Sequence, residues 1–575
     1  MNSKTDDLTQ AKQLIRMGKL DEVRQILARL EKKTDLPQSD RLECQLLKGM
    51  LLFYQGEYEN CLTLAQQVYL ESQKLEQPLL VVEALLYKAQ ALFRLGKLDE
   101  CLNVLNQSDQ TLKHSTQDSL SHLTAKSRPF YHRKQSHSTL QHNLDQPSDN
   151  LEKLVRIDYL KAQVFLQKGA HDQALDYFQQ NLILCEKLDD KSVIASHLGN
   201  IGAIYHQKGE LIKALDYYRQ SMKIFEEMKN KFHIMIVLHN IGMIYAERGM
   251  HDQALDFLMQ SLKSGEEIEN KDLVAYNLQN IAKIYRQQGD YERALKAFQQ
   301  SLTLRQETGN NFYTAEVLLK LIMISLDSGF IEDAKEYLQQ LQSIAEVDPN
   351  KVINQRYRLG RALCLKADDK ASATAALSFV TLHRVLNNLV TAQDLLRQIT
   401  TEDILFHEVT VDTIFNLCEL LIVELKTLGN EEVLNEVDQL AQRLLEIGHA
   451  QNSYSLLAKT YLLISKLALL KQDVEDAKEM LTQAHQVAVE KGYELLSVVI
   501  TSEQKRLEKD LPDWFLDEDV SLFERLGHTR LDGLLVALRQ DRVEYFTPED
   551  LLTKSPNMDE LKSFADELTK RRIKW

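Results

Sequence analysis

The sequence predicts an all-α solenoid of antiparallel helix pairs, and three observations carry that prediction. Five glycines, Gly169, Gly209, Gly249, Gly289 and Gly329, recur every forty residues. An alanine follows each one five positions later (Ala174, Ala214, Ala254, Ala294, Ala334), and an Asn or Asp closes each unit (Asp190, Asn230, Asn270, Asn310, Asn350). No proline occurs between Pro147 and Pro349, so nothing there breaks a helix. Markers held in register at a fixed period mean a tandem array. A chain of 575 residues is too long for one compact core, whereas each unit of an array needs to contact only its neighbours.

Each element of the repeat has a physical reason. Three units read LGNIGAIYHQKGELIKALDYYRQSMKIFEEMKNK from Leu198, LHNIGMIYAERGMHDQALDFLMQSLKSGEEIENK from Leu238, and LQNIAKIYRQQGDYERALKAFQQSLTLRQETGNN from Leu278. Apolar residues at helical spacing, such as Leu238, Ile241, Ile244 and Tyr245, mark the first helix, A. The glycine permits the left-handed conformation that ends it. A second amphipathic helix, B, follows, as at Ala254, Leu255, Leu258 and Leu262. Small residues at Ala162, Gly202, Gly242 and Ala282 let A approach the alanines of B, and large ones (Tyr205, Tyr245, Tyr285; Phe178, Tyr218, Leu258, Phe298) fill the adjoining space. The recurring tyrosines therefore read as packing rather than as a stacking ladder for a ligand. The closing Asn or Asp suits the turn between units and the cap of the next helix.

This small, Tyr, Gly, Ala, aromatic pattern resembles the tetratricopeptide repeat (TPR) in a forty-residue variant similar to that of kinesin light chain and of the spindle-orientation adaptors. The resemblance is strongest from Arg156 to Asn350, and weaker copies carry Gly18, Gly56 and Gly96. It implies a right-handed superhelical solenoid, with the A helices on the concave side. The expected organisation is N-terminal repeats over residues 5–105, a disordered or irregular insertion over 106–152 and central repeats over 153–350. Degenerate repeats follow over 351–509, then a helical cap and tail over 510–575. In the degenerate part, KADDKASAT stands where a turn glycine is expected, and Gln472 replaces another.

The insertion holds five histidines (His114, His122, His132, His137, His142), but none has metal-ligand spacing and no cysteine lies nearby. It reads as a solvated, disordered segment. Its Ser and Thr beside Lys126, Arg128, Arg133 and Lys134 leave a regulatory loop as a second reading. At the C-terminus an acidic stretch (Asp513, Asp517, Glu518, Asp519) precedes a helix start at Thr547 and a last helix from about Pro556 to Ile573.

Composition narrows the function. A formal charge of −15 argues against a nucleic-acid binder, which would present a basic face. The six cysteines are scattered without a CxxC pair, and several sit at apolar repeat positions, as expected of buried free thiols in a reducing compartment. No signal core and no apolar membrane span occurs, so the expected location is cytoplasmic. No phosphate-binding loop, GxSxG, HExxH or kinase signature is present. The expectation is therefore a non-enzyme with no cofactor, no metal and no membrane partner.

Function should then lie on the concave face. The resemblance implies that an Asn two residues before the small position bonds the backbone of a bound peptide. Asn200, Asn240 and Asn280 match that position, whereas Leu160 precedes them and Lys320 follows. A carboxamide both donates and accepts, so it can pair with an extended peptide of any sequence. His206, His239, Gln279, Lys283, Arg286 and Lys320 are expected on the same face. Their neutral to basic bias, with Glu247 among them, points to an acidic or carboxylate-bearing segment. The expected function is a protein-interaction scaffold or adaptor that holds a peptide in its groove. The alternative is a sensory or regulatory TPR subunit controlling an enzyme or transcription partner on another chain.

Overall fold

A computed structural model gives the architecture for residues 7–8, 10–11, 14, 20–32, 36–54, 57–120, 148–372, 379–402, 407–428, 432–510, 522–529 and 531–540. Among these residues every regular element is a helix. They divide into two compact units. The first takes Met1–Tyr205 and Asp216–Met228, the second His206–Leu215 and Lys229–Trp575.

The first unit contains α1 (Leu20–Glu31), α2 (Gln38–Tyr54), α3 (Tyr58–Lys74), α4 (Pro78–Arg94), α5 (Leu98–Leu120), α6 (Ser148–Gln167), α7 (His171–Leu188) and most of α8 (Lys191–Gln207). The latter part of α9 (Leu211–Glu227) also belongs to it. Helix occupies both ends of the expected insertion, because α5 runs on to Leu120 and α6 begins at Ser148. The cause is visible in α5, where Cys101, Leu105, Ser108 and Leu112 form one buried stripe at helical spacing. The rest of the insertion, residues 121–147, lies outside the described residues, as do Gly18, Gly56 and the last expected helix.

The second unit contains α10 (Lys231–Glu247), α11 (His251–Glu267), α12 (Lys271–Gln287), α13 (Tyr291–Glu307), α14 (Asn311–Asp327) and α15 (Ile331–Val347). It continues through α16 (Lys351–Ser372), α17 (Phe379–Thr401), α18 (His407–Leu428), α19 (Glu432–Ala450), α20 (Tyr454–Leu470), α21 (Val474–Glu490) and α22 (Glu494–Asp510). Each helix packs on its successor. Two short helices, α23 (Leu522–Thr529) and α24 (Leu531–Gln540), depart from this order and lie back against α18 and α20. There Leu526, Leu531, Leu534 and Leu535 are buried, and Arg525 donates to the Leu470 carbonyl at 2.7 Å.

The turns follow from the sequence markers. Gly209, Gly249 and Gly289 take φ of +67°, +78° and +78°, and Gln472 adopts +63° at the equivalent place without being glycine. The closing Asn residues cap as expected: Asn230, Asn270 and Asn310 accept from the backbone N–H of His233, Leu273 and Tyr313. Packing between A and B is close. A Cβ at Gly202 would stand 3.0 Å from the Tyr218 ring, and one at Gly242 would stand 2.8 Å from Leu258 Cγ. The aromatics pair within repeats, with Tyr205 stacked on Tyr217 at 5.4 Å and Tyr245 on Phe257 at 5.4 Å.

One recurring contact has no counterpart among the sequence markers. Asn181, Ser221, Ser261 and Ser301 are fully buried on the B helices. Each donates to a carbonyl of the preceding A helix: to Val155 at 2.8 Å, Ala195 at 2.7 Å, Met235 at 2.8 Å and Ala275 at 2.9 Å. The bond satisfies the buried hydroxyl or amide and fixes the two helices axially.

Candidate functional site

The Asn positions lie late in the A helices. Gly242 faces α11, and Asn240, two residues before it, lies about 200° round the helix on the side away from that contact. Asn240 and Asn280, in the second unit, are both half-buried. Asn240 has no hydrogen-bond partner among the described residues, while Asn280 donates Nδ2 to the Tyr276 carbonyl of its own helix at 3.1 Å. Asn200 belongs to the first unit, where it too is half-buried and without a partner among the described residues.

His239 is fixed rather than free to adapt. Its Nδ1 lies 2.8 Å from Asn277 Oδ1, and Asn277 Nδ2 in turn donates to Ser261 Oγ at 2.9 Å. With Ser261 bonded to the Met235 carbonyl, this makes one chain of hydrogen bonds across three helices. The Asn277 contact makes Nδ1 the protonated nitrogen. Burial holds the imidazole below its ordinary pKa, against the Asn277 bond, so the ring is neutral at pH 7. It also lies over the Tyr276 ring with centroids 4.8 Å apart, and Tyr276 is itself exposed. Gln279 is buried, and its Nε2 has no partner.

The nitrogen-bearing side chains of this face meet carboxylates of the same unit. His206 Nε2 is 2.8 Å from Glu247 Oε1. Arg286 donates through Nε and Nη2 to Asp327 at 2.9 and 2.6 Å, with both side chains largely buried. Lys320 reaches Glu408 at 2.6 Å and Asp412 at 3.4 Å, both on α18. Lys320 draws the Glu408 carboxyl down, whereas burial raises Asp412. Lys283 stays exposed within the electrostatic reach of Glu408. The face that the sequence reads as neutral to basic is thus largely balanced from within. Glu408 and Asp412 lie 88 and 92 residues beyond Lys320 and follow no repeat marker, so sequence reasoning missed them. Asn277 was missed as well, although Ser261 and Ser301 keep the forty-residue period that could have exposed its network.

Two further contacts join the first turns of this unit to its last repeats. Arg248 pairs with Glu494 at 2.5 Å, and Lys491 donates to the Lys208 carbonyl at 3.2 Å while lying 4.0 Å from the Tyr454 ring centroid. Arg248 and Glu494 are 246 residues apart, so this unit brings residues of its early and late helices into contact. Among the described residues no group of three or more His, Cys, Asp or Glu side chains could hold a metal ion. No helix among them is long and apolar enough to cross a membrane.

Comparison with known proteins places the repeats. A family model described as a MalT-like TPR region matches residues 156–500. No curated protein matches the chain. Among solved structures, a Rap protein complexed with competence and sporulation factor is similar at 15% identity, covering 72% of this chain and 99% of its own, with a TM-score of 0.43. The apo form of the quorum sensor NprR from B. thuringiensis is similar at 14% identity, covering 68% and 98%, with a TM-score of 0.44. Kinesin light chain-like repeats from Podosopora anserina match at 16% identity over 35% of this chain and 97% of theirs, with a TM-score of 0.30.

Proposed function

The chain belongs to the family of MalT-like TPR regions, and from that premise we propose that it is an interaction scaffold that captures a peptide segment on the A-helix face of its central repeats. One observation carries the reading: the Asn240 carboxamide is half-buried, lacks any partner among the described residues and stands in register with Asn280. An amide so placed retains its donor and acceptor for a visiting backbone. His239, held neutral by burial, and the exposed Tyr276 ring beside it add a flat surface for a side chain of that peptide. Gln279 and Lys283 border the same positions.

The internal pairing of His206, Arg286 and Lys320 bears on the ligand's chemistry. An acidic peptide gains only where it competes with Glu247, Asp327 or Glu408, so backbone recognition carries more of the affinity than charge. The formal charge of −15 gives no footprint for nucleic acid. All six cysteines are buried and free, which fits a cytoplasmic protein. The protein acts by binding and not by chemistry of its own.

The test is peptide capture from a lysate, mapping of the captured segment, and titration of the synthetic peptide against variants. Asn240→Ala with Asn280→Ala should weaken binding by about one to three kcal/mol, one hydrogen-bonding amide at a time. Asn200→Ala is measured separately. Unchanged affinity in all of them removes the Asn reading. A second reading, the regulatory subunit, is favoured by the Arg248–Glu494 and Lys491–Lys208 contacts, which a ligand on the A face would have to strain. A peptide-dependent change in small-angle scattering would select it over a static adaptor.

A further inference from the structure

We propose that the first unit carries a second and separate binding site: the cavity walled by α2, α4 and α6 takes an amphipathic peptide segment of a partner protein, with an apolar face and flanking Lys or Arg. The cavity has a volume of about 1420 Å³ and is open to solvent. Small-molecule sites occupy roughly 300–1,000 Å³, so the space suits a run of side chains better than a metabolite.

Its chemistry differs from that of the central repeats at the same register. Counting back from the ends of the A helices, the positions of Asn200, Asn240 and Asn280 correspond to Leu47, Tyr87 and Leu160, and all three line the cavity. Where the central repeats place carboxamides, this array places apolar side chains that are themselves buried, and the open apolar surface comes from their neighbours. Met50, Phe53, Phe93 and Tyr159 continue the wall half-buried, and Leu79 stands 39% exposed at its edge. Apolar surface left partly open in a concave site is what an apolar ligand face covers.

The charges choose the partner. Inside the cavity Arg156 donates to both oxygens of Glu83 at 2.9 Å, and Lys153 approaches the same carboxylate at 3.7 Å. Two cations thus share one carboxylate. Around them the lining includes the carboxylates Glu43, Glu76, Glu152 and Asp190 against one further cation, Arg94, which lies over the Phe53 ring. Over the whole lining five carboxylates face three cations, so the excess is acidic and favours basic flanks on the incoming segment. Much of the wall, on α2 and α4, lies outside the 156–500 span of the family match. The site stands whether or not the Asn face binds a peptide.

The experiment uses the full chain and a fluorescein-labelled helical peptide of about eighteen residues, five turns, with a Leu face and a Lys face. A Leu–Glu counterpart serves as control, and anisotropy is read at physiological salt. The Leu–Lys peptide should bind and the Leu–Glu peptide should not. Leu79→Asp and the double change Glu76→Lys, Glu152→Lys each alter residues at the edge or on exposed positions, and each should weaken binding by about tenfold or more. Circular dichroism confirms that the variants fold, and Asn240→Ala with Asn280→Ala should bind as the parent does. Equal binding of both peptides, or Leu–Lys binding undiminished in both cavity variants, overturns the proposal. Binding that appears only after Lys126, Arg128, Arg133 and Lys134 are replaced by Ser would assign the cavity to the chain's own basic segment and overturn the assignment to a partner.

Discussion

Replacing Gly242 tests the packing register from which the rest is reasoned. In α10 this glycine faces α11, and a Cβ there would lie 2.8 Å from Leu258 Cγ, 3.1 Å from Leu258 Cδ2 and 3.2 Å from the Ala254 carbonyl oxygen. Leu258 and Ala254 are both fully buried, so neither can swing into solvent. Gly242→Leu adds four carbons where the first already collides, and overpacking of this kind costs about 1–3 kcal/mol. Removing a helical glycine returns about 0.8–1 kcal/mol of propensity. The net expectation is a loss of up to about 2 kcal/mol for Leu, and a change near zero for Gly242→Ala. Gly49→Ala is the control. Its Cβ meets nothing closer than 3.9 Å, so it should stabilise by about 0.5–1 kcal/mol. Because repeat arrays need not unfold as one unit, the readout is amide hydrogen exchange in peptides covering 231–267, and 38–54 for the control, where 2 kcal/mol appears as roughly thirtyfold faster exchange. Exchange unchanged or slowed by Leu would mean that α10 and α11 do not meet at Gly242, and the assigned register would fall with it.

Other outcomes follow from single features. Arg286→Met leaves Asp327 buried without its main cation and should cost about 3–5 kcal/mol in urea unfolding; a loss under 1 kcal/mol would mean that the pair is solvated. Ser261→Ala removes a donor to the Met235 carbonyl and a partner of Asn277, with an expected loss of about 1–3 kcal/mol by the same measurement. Gln472→Gly relieves a left-handed residue at φ +63° and should raise stability by about 0.5–1 kcal/mol, less than the full strain because glycine is freer when unfolded. His197 and His239 are both held below their ordinary pKa, first by burial. Their neutral forms belong to the folded state, so their contribution is complete above about pH 6.5 and is lost as the pH falls below it. Acid titration followed by circular dichroism should show that loss shrink in His197→Gln with His239→Gln; an identical profile would place the sensitivity elsewhere.

Much of the fold is legible in the sequence because its determinants are local. A glycine that must turn, an Asn that must cap and a small residue that must let a helix approach all act within one period, and Gly249, Asn270 and Gly242 do so. Even Gln472 was readable, since its place in the register matters more than its identity. Contacts set by curvature are not legible in this way. The approach of Glu408 to Lys320, or of Glu494 to Arg248, depends on small rotations accumulated over several repeats, and no residue pattern encodes that sum. The candidate face divides along the same line. Helical period alone places Asn240 and Asn280 on it, but the partners that claim Arg286 and His206 come from the neighbouring repeat. The apolar lining at Leu47, Tyr87 and Leu160 was open to the same register reading, and it was hidden by the weak N-terminal glycine pattern.

The buried bonds from Asn181, Ser221, Ser261 and Ser301 to the preceding helix span the same 26 positions every time. Identical spans make the repeats interchangeable parts. A whole period excised or duplicated between Ala195 and Ser301 would leave every such bond with a chemically equivalent partner. A change of length inside one of these spans would set a buried hydroxyl or amide against the wrong turn of helix, whereas one between spans would leave the bonds intact. The four small polar side chains thus fix the length of each helix pair and leave the turns between pairs as the places where the array can vary.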